Sequence, residues 1–292
     1  MPIKLNNKTN ISQGLATSAD KIYITPLIDE SEDTIKIESK YLKEELILEK
    51  EILKPLLKGA EIKRYEQPNV TNLLIFPYST KDDELMPFSR KDMKNYPLTF
   101  DYLYSTRDKL LKRSNVDSKN WWLYPYPKNL LIMEKPKIIY QVLSQKGSFT
   151  LDENGEYFYV GGGNAGGYAI TTDSNSLEEL KFLLGILNSK LTTFFISKVA
   201  SCFKGGYYSF GKHSFEHFPL PSNNLNNENL INLVDDIIEL HKELSNCRIE
   251  KDKKMIQLQI DNVDNRINQL VYELYGLTDE EIEIIEEDVN NN

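Results

Sequence analysis

The constraint that most narrows the fold is a pair of heptad seams near the C-terminus. Ile256, Ile260, Val263, Ile267, Leu270 and Leu274 recur at steps of four and three, and Leu233, Ile237, Leu240 and Leu244 show the same steps upstream. This spacing keeps an apolar stripe on one side of a helix, and a second helix is needed to cover it. The charged residues from Glu250 to Lys254 separate the two seams. An antiparallel helical hairpin is therefore expected, capped by Gly276 and followed by a short acidic helix from Thr278. By periodicity alone, such a hairpin suits intramolecular packing and protein–protein association equally.

A second constraint lies between Leu180 and Pro221. Leu180, Leu183, Leu184, Leu187, Leu191, Phe194 and Phe195 share one helical face, with Ser176 and Glu179 forming a capping box at its start. A Lys-Gly-Gly-Tyr-Tyr turn follows at Lys204 to Tyr208, then Phe210, Lys212 and Phe215, and Pro219 and Pro221 cannot continue a helix. Lys181, Lys190, Lys198, Lys204 and Lys212 fall in this stretch with no acidic residue between Leu180 and Phe215. Close-approach glycines, aromatics and unopposed lysines suit a surface laid against a polyanion.

The remaining segments read as a mixture of strands and helices. Residues 12–28 pass from turn formers into a strand at Ile22 and Ile24, and a short hairpin continues from Asp29 to Ile37. Tyr41 to Leu57 reads as one helix or two short ones, and Leu73 to Tyr78 as a buried strand. Leu98 to Arg113 is expected to be helical from a first-turn Pro97, with Lys109, Lys112 and Arg113 on one side. Trp121, Trp122, Tyr124 and Tyr126 form an aromatic loop. Lys135 to Leu143, Glu156 to Val160 and Tyr168 to Thr172 read as strands, the last two around a glycine-rich loop. The expected class is α+β: a mixed β-sheet domain with flanking helices over residues 1–222, then the helical hairpin over 223–292.

Net charge is −9, at first sight a poor match to nucleic acid, but the charge is unevenly placed. Residues 1–222 carry 29 basic and 27 acidic side chains, hence +2, whereas residues 223–292 carry 6 and 17, hence −11. The body can still present a basic face, and the acidic helical tail is not expected to lie on DNA. No run of 18 apolar residues and no signal-peptide core is present, so a cytoplasmic protein without a membrane partner is expected. Cys202 and Cys247 imply neither a disulfide framework nor a metal site.

Several motifs match by letter and fail by context. Gly161, Gly163 and Gly166 fit G-x-G-x-x-G, but a strand-like Tyr-Ala-Ile-Thr-Thr follows where a dinucleotide site needs a helix, so a strand-connecting loop is expected, with Asn164 able to reach a ligand. Asp29 with Glu38 and Lys40 resembles the metal-holding pattern of nucleases, and Glu61 and Lys63 repeat part of it. No Pro-Asp pair supports that reading, which is kept as the enzymatic alternative. His213 and His217 flank Glu216 without the helix that would bring both imidazoles to one metal. Neither a nucleophile elbow nor a P-loop occurs. The set that points to function is basic and aromatic: Lys58, Lys63, Arg64 and Tyr65; Arg107, Lys109, Lys112 and Arg113; Lys204, Tyr207, Tyr208 and Lys212.

An ordered series of segments makes this specific: G-L-A-T-S-A-D-K-I-Y at Gly14 to Tyr23, L-L-K-G-A-E-I-K-R-Y at Leu56 to Tyr65, L-I-F-P-Y at Leu74 to Tyr78, K-P-K-I-I-Y at Lys135 to Tyr140, L-L-G-I-L-N-S-K-L at Leu183 to Leu191 and G-G-Y-Y-S-F at Gly205 to Phe210. With the ending L-V-Y-E-L-Y-G-L-T-D-E-E-I at Leu270 to Ile282, the series resembles the TaqI-like C-terminal specificity domain. This is the target-recognition part of adenine-N6 DNA methyltransferases and type IIG restriction–modification enzymes. The resemblance implies sequence-specific recognition of double-stranded DNA. It also implies that S-adenosylmethionine and the flipped adenine belong to a separate catalytic domain, whose Asn-Pro-Pro-Tyr-type motif is absent here: the sequence contains no Pro-Pro pair.

The chain is accordingly expected to be non-catalytic, to hold no cofactor, and to work with an adenine methyltransferase or endonuclease subunit. Its hairpin is expected to serve as a spacer, docking or dimerising element. Lysines are expected on phosphates, Arg64 and Arg113 on guanine edges, and Tyr207 and Tyr208 against the backbone or a disturbed base step. A protein-interaction subunit that no longer binds DNA is the third reading.

Overall fold

A computed structural model describes residues 3–161, 166–221 and 225–291. Gly163 and Asn164, and residues 222–224 of the Asn-rich linker, lie outside these residues. After a short edge at Ile3–Lys4, paired with Pro219–Leu220, come β1 (Thr9–Gln13) and one turn of helix, α1 (Asp20–Tyr23). The chain then runs through β2 (Ile24–Glu30), β3 (Thr34–Ser39), β4 (Glu44–Glu49), β5 (Leu53–Leu57) and β6 (Asn72–Ile75). These five strands are antiparallel neighbours in the order β5-β6-β2-β3-β4, and Phe158–Tyr159 adds a parallel edge beside β5. Helices α2 (Pro97–Ser105) and α3 (Arg107–Leu111) and the Trp121 to Tyr124 loop close one core with this sheet, built on residues such as Ile37, Leu48, Leu74, Leu103 and Trp122.

A second, four-stranded antiparallel sheet joins β7 (Lys137–Gln141), β8 (Phe149–Asp152) and β9 (Gly167–Thr172) to the first strand, in the order β8-β7-β9-β1. Against it lies α4 (Leu177–Leu187), with Leu180, Leu183, Leu184 and Leu187 wholly buried as their spacing requires. Then come α5 (Lys190–Val199) and a small hairpin of β10 (Cys202–Phe203) and β11 (Tyr207–Ser209), which pairs with Leu143–Ser144 to form a three-stranded tongue. Helices α6 (Glu228–Asn246) and α7 (Glu250–Tyr275) make the expected hairpin, and α8 (Asp279–Asn291) ends the described chain. The fold is α+β.

The hairpin is packed on the body rather than held away from it. Leu233, Ile237, Ile260, Val263 and Ile267 of the two seams share a core with α4, β7 and β8. Gly185 makes this possible: a Cβ there would lie 2.9 Å from Leu230 Cδ1 and 3.0 Å from Val234 Cγ2, so α6 rests on bare α4 backbone. The apolar core therefore runs across residue 222.

Some local expectations are corrected. Tyr41 to Leu57 is not helical: β4 pairs along its full length with β3, from Thr34 opposite Glu49 to Ser39 opposite Glu44. Its Glu- and Leu-rich composition favours helix, but inward Leu46 and Leu48 alternate with outward residues, and cross-strand pairing overrides the local preference. Ile22 sits in the α1 turn, and the strand starts at Ile24. The helix entered at Pro97 breaks at Thr106, whose hydroxyl turns back to donate to the Leu103 carbonyl at 2.9 Å.

The long apolar helix likewise divides at Asn188 and Ser189, where α4 and α5 bend by 66°. The Asn188 amide bonds both backbone groups of Phe149, at 3.1 and 3.0 Å, and Ser189 caps α5. Ser176 caps α4, while the Glu179 carboxylate accepts instead from the Ser174 hydroxyl. No single helix among the described residues is long and apolar enough to cross a membrane.

Candidate nucleic-acid interface

Two adjoining hollows, of 640 and 620 Å3, share Asp20, Lys21, Lys40 and Val160 and form one groove beside the six-stranded sheet. Lys21 comes from α1, Lys40 and Lys43 from the turn between β3 and β4, Lys58 from the end of β5 and Lys109 from α3. All five lysines are exposed. Gly161 lies at the groove's edge, and its use is local: a Cβ there would lie 2.5 Å from the Gly14 carbonyl oxygen, where the two segments run side by side at the parallel Leu15–Val160 bridge. The first glycine of the dinucleotide-like motif therefore serves a close backbone approach.

The walls are fixed from behind. The turn carrying Lys40 and Lys43 is closed by Lys43 N–H donating to the Ser39 carbonyl at 2.7 Å, with Lys43 in the left-handed region. Buried Ser39 accepts from Leu42 N–H at 3.1 Å and shares a hydrogen bond with the Tyr102 hydroxyl, so the turn is tied to α2. Across the groove, the Thr17 carbonyl accepts from Arg113 Nη1 at 3.1 Å, and the Thr17 hydroxyl donates to Asp20.

At the centre, two ammonium groups converge on one neutral oxygen. Lys58 Nζ lies 2.9 Å and Lys40 Nζ 3.4 Å from Asn72 Oδ1, and Asn72 is itself buried. Burial, followed by the charge on Lys58, holds the Lys40 ammonium below the ordinary lysine range, opposed in part by Glu38 and Asp20. The neighbouring Glu61 carboxylate is engaged elsewhere, accepting from Lys58 N–H at 2.7 Å and from the Thr71 hydroxyl at 2.5 Å. Among the described residues, Lys21, Lys40, Lys43, Lys58 and Lys109 make no ion pair with a carboxylate.

The tongue is a second exposed element. Gly205 and Gly206 take φ of 89° and 72°, and the Gly205 carbonyl accepts from Gln145 Nε2 at 2.8 Å, presenting Lys204 and Tyr207 to solvent. Lys212 is exposed just beyond it.

The residues singled out from sequence divide between surface and interior. Lys58 and Lys109 line the groove, Lys112 is exposed at the end of α3, and Lys63 is exposed beside Glu66 at 3.4 Å. Arg64 does not project from its cluster: its guanidinium meets Asp264 of α7 in a two-point ion pair, at 2.7 and 3.3 Å, and donates to the Asn188 carbonyl at 2.7 Å. Tyr65 is 2% exposed, with its ring stacked near His241.

Arg113 departs from the expected one-sided helix face because α3 ends before it. It is 9% exposed, lies over the Tyr23 ring and donates to the carbonyls of Leu110, Thr17, Trp121 and Leu123. Tyr208 alternates inward from Tyr207 and is 9% exposed. Arg107 lies between the Tyr104 and Trp121 rings. The lysines after Leu180 are also less free than their local sequence implies. Lys181 pairs with Asp235, Lys190 with Glu286 and Lys198 with Asp288, so residues of the acidic C-terminal segment supply the missing carboxylates.

The nuclease-like residues are dispersed in a hairpin. Asp29 lies opposite Lys36 beside a register shift, Glu38 opposite Glu45, and Lys40 points into the groove. His213 and His217 flank the Glu216 carboxylate at 3.5 and 3.8 Å. Among the described residues, no three His, Cys, Asp or Glu side chains are grouped to hold a metal ion, and both cysteines are free.

Lys21 and Lys43 were not singled out by the sequence reading, and Lys40 was read for different chemistry. No local motif marks them, because the groove is assembled from separate segments by strand pairing. The chain is 23% identical over 296 aligned positions to the type II restriction enzyme and methyltransferase RM.Eco57I of Escherichia coli, across 95% of this chain and 29% of that protein. It thus spans less than a third of that relative's length. A family model matches residues 54–220, from β5 through the tongue, which covers more than half of the chain. By that match the chain belongs to the TaqI-like C-terminal specificity domain family.

Proposed function

We propose that this chain reads the sequence of double-stranded DNA as the specificity module of an adenine-N6 DNA methyltransferase or type IIG restriction–modification system, and is non-catalytic on its own. The supporting observation is the groove in which five lysines from four segments have, among the described residues, no carboxylate ion-pair partner. Such a surface favours a polyanion despite the chain's net negative charge, because the acidic excess resides in the C-terminal helices. In this reading the groove lysines, with Lys63, Lys112, Lys204 and Lys212, fix register on phosphates, and Tyr207 reaches the duplex from the tongue. Arg64, Tyr65, Arg113 and Tyr208 shape the scaffold that presents them.

S-adenosylmethionine and the methyl-transfer chemistry would reside on a catalytic subunit or on a domain outside these 292 residues. The relative is named as both a restriction enzyme and a methyltransferase, which fits such an association. The outer end of the helical hairpin, with Ile249, Met255 and Leu258 exposed, offers a docking or homodimer surface, and the assembly would work in the cytoplasm. Fluorescence anisotropy with labelled duplexes tests the reading. Affinity should fall with salt with a log–log slope of about −3 or steeper, as for three or more phosphate contacts. A Lys21→Glu, Lys43→Glu, Lys109→Glu variant should lose it. Absence of salt-sensitive binding, with and without a methyltransferase partner, would favour a protein-interaction role.

A further inference from the structure

Lys40 and Lys58 form a pair of like charges at the centre of the groove. Both ammonium groups approach Asn72 Oδ1, at 2.9 and 3.4 Å, so they lie no more than 6.3 Å apart. They stand on different elements, the turn after β3 and the end of β5, and each is held by a separate backbone constraint: the closed Ser39–Lys43 turn and the Lys58–Glu61 turn. Like charges repel at this distance unless an anion lies between them. The nearby carboxylates do not fill that role. Asp20 accepts from Thr17, Glu61 is taken by Lys58 N–H and Thr71, Glu38 acts on Lys40 from its place opposite Glu45 without an ion pair, and among the described residues neither ammonium has an ion-pair partner.

The single oxygen they share can accept from both through its two lone pairs, but it is neutral and does not offset their repulsion. Asn72 Nδ2 is itself committed to the Thr71 hydroxyl at 2.8 Å, which fixes which end of the amide faces the lysines. The pair opens onto the groove, and Lys40 lines both of its hollows. A phosphodiester presents two non-bridging oxygens and one negative charge, which would give each ammonium a charged acceptor and relieve their repulsion.

We propose that Lys40 and Lys58, set on Asn72, form a clamp for one phosphodiester group. This deepens the DNA-recognition reading and rests on it for the identity of the ligand as duplex backbone. One clamped phosphate anchors the groove at a fixed point on the DNA. It adds affinity equally to all sequences and leaves discrimination to other contacts.

The test compares the wild type with Lys40→Ala/Lys58→Ala in three arms. With specific and scrambled duplexes, the double variant should lose about tenfold in affinity for both and about one unit of salt slope, with their ratio unchanged. With inorganic phosphate or a mononucleotide, titrations followed by lysine ammonium NMR signals show whether free phosphate is taken as well. With duplexes carrying single methylphosphonates, one position should weaken the wild type and not the double variant. If the wild type binds DNA and the double variant matches it in affinity and slope, the clamp is wrong while DNA recognition stands. If the wild type binds no DNA, the DNA-recognition reading fails separately. A phosphate response at Lys40 and Lys58, lost in the variant, would then support the clamp with free phosphate as ligand, and no response would overturn it.

Discussion

Arg64 and Asp264, 200 positions apart in the chain, form a two-point ion pair that joins the segment after β5 to the middle of α7. The same guanidinium holds the Asn188 carbonyl at the bend between α4 and α5, so one side chain ties together three segments. Burial of Arg64 opposes its charge, but Asp264 more than compensates, and its pKa is raised.

Removing this bridge should cost stability rather than base discrimination. Arg64→Ala is expected to destabilise the fold by about 2 kcal/mol, since it breaks charge-assisted hydrogen bonds and strands a carboxylate at a partly buried joint. Asp264→Ala should behave similarly, and the double variant should cost less than the sum. Urea denaturation measures the cost. Anisotropy on the folded fraction should give an unchanged ratio of specific to scrambled binding, and a collapsed ratio would assign Arg64 to base reading.

Arg113 makes a stronger case. Its guanidinium serves four carbonyls in a nearly dry site, and its loss would leave several buried acceptors unpaired. Arg113→Met should cost about 3 kcal/mol or more. Arg113→Lys should recover little, because one ammonium cannot reproduce a planar fork. Thermal denaturation followed by circular dichroism would show both.

Lys137 and Asp152 form a buried pair at 2.5 Å, both side chains almost wholly enclosed. Asp152 also accepts from the Glu156 and Tyr157 N–H groups at 2.9 and 3.0 Å, and so organises the turn after β8. Lys137→Met alone leaves a buried carboxylate and should cost about 3 to 5 kcal/mol. Lys137→Met/Asp152→Leu should be less damaging than the single changes predict together, a non-additivity that a double-mutant cycle reads directly.

His241 on α6 should make stability depend on pH. Burial, opposed only in part by the Glu66 carboxylate, lowers its pKa below the ordinary 6.5, so the folded state resists its protonation. Its contribution is fully present above the unfolded value of about 6.5 and is lost as pH falls through that value toward the folded one. Urea midpoints should therefore drop between pH 7.5 and 5.5. His241→Gln should lessen the drop, and an equal drop in both proteins would exclude His241 as its source.

Helices and hairpin were legible because their apolar spacing records the covered face directly: Leu180 to Leu187 and Ile260 to Ile267 went where their periods placed them. Glu44 to Glu49 was misread because its helix-favouring residues act through pairing with Thr34 to Ser39, which local composition does not record. The candidate site was legible only in part, at Lys58, Lys109 and the tongue. Lys40 meets Lys58 through Asn72, 32 positions away from Lys40, and that meeting exists only once β3, β5 and β6 are in register. Arg113 shows the converse: two residues beyond a helix end were enough to turn an expected surface charge inward.

Selection of binders from a pool of random-sequence duplexes at near-physiological salt, using the 292-residue chain, shows whether the protein reads double-stranded DNA. One sequence motif should be enriched, with enriched duplexes binding more tightly than the starting pool. A final pool as diverse as the first, with no affinity gain over it, would mean that the chain does not read DNA sequence.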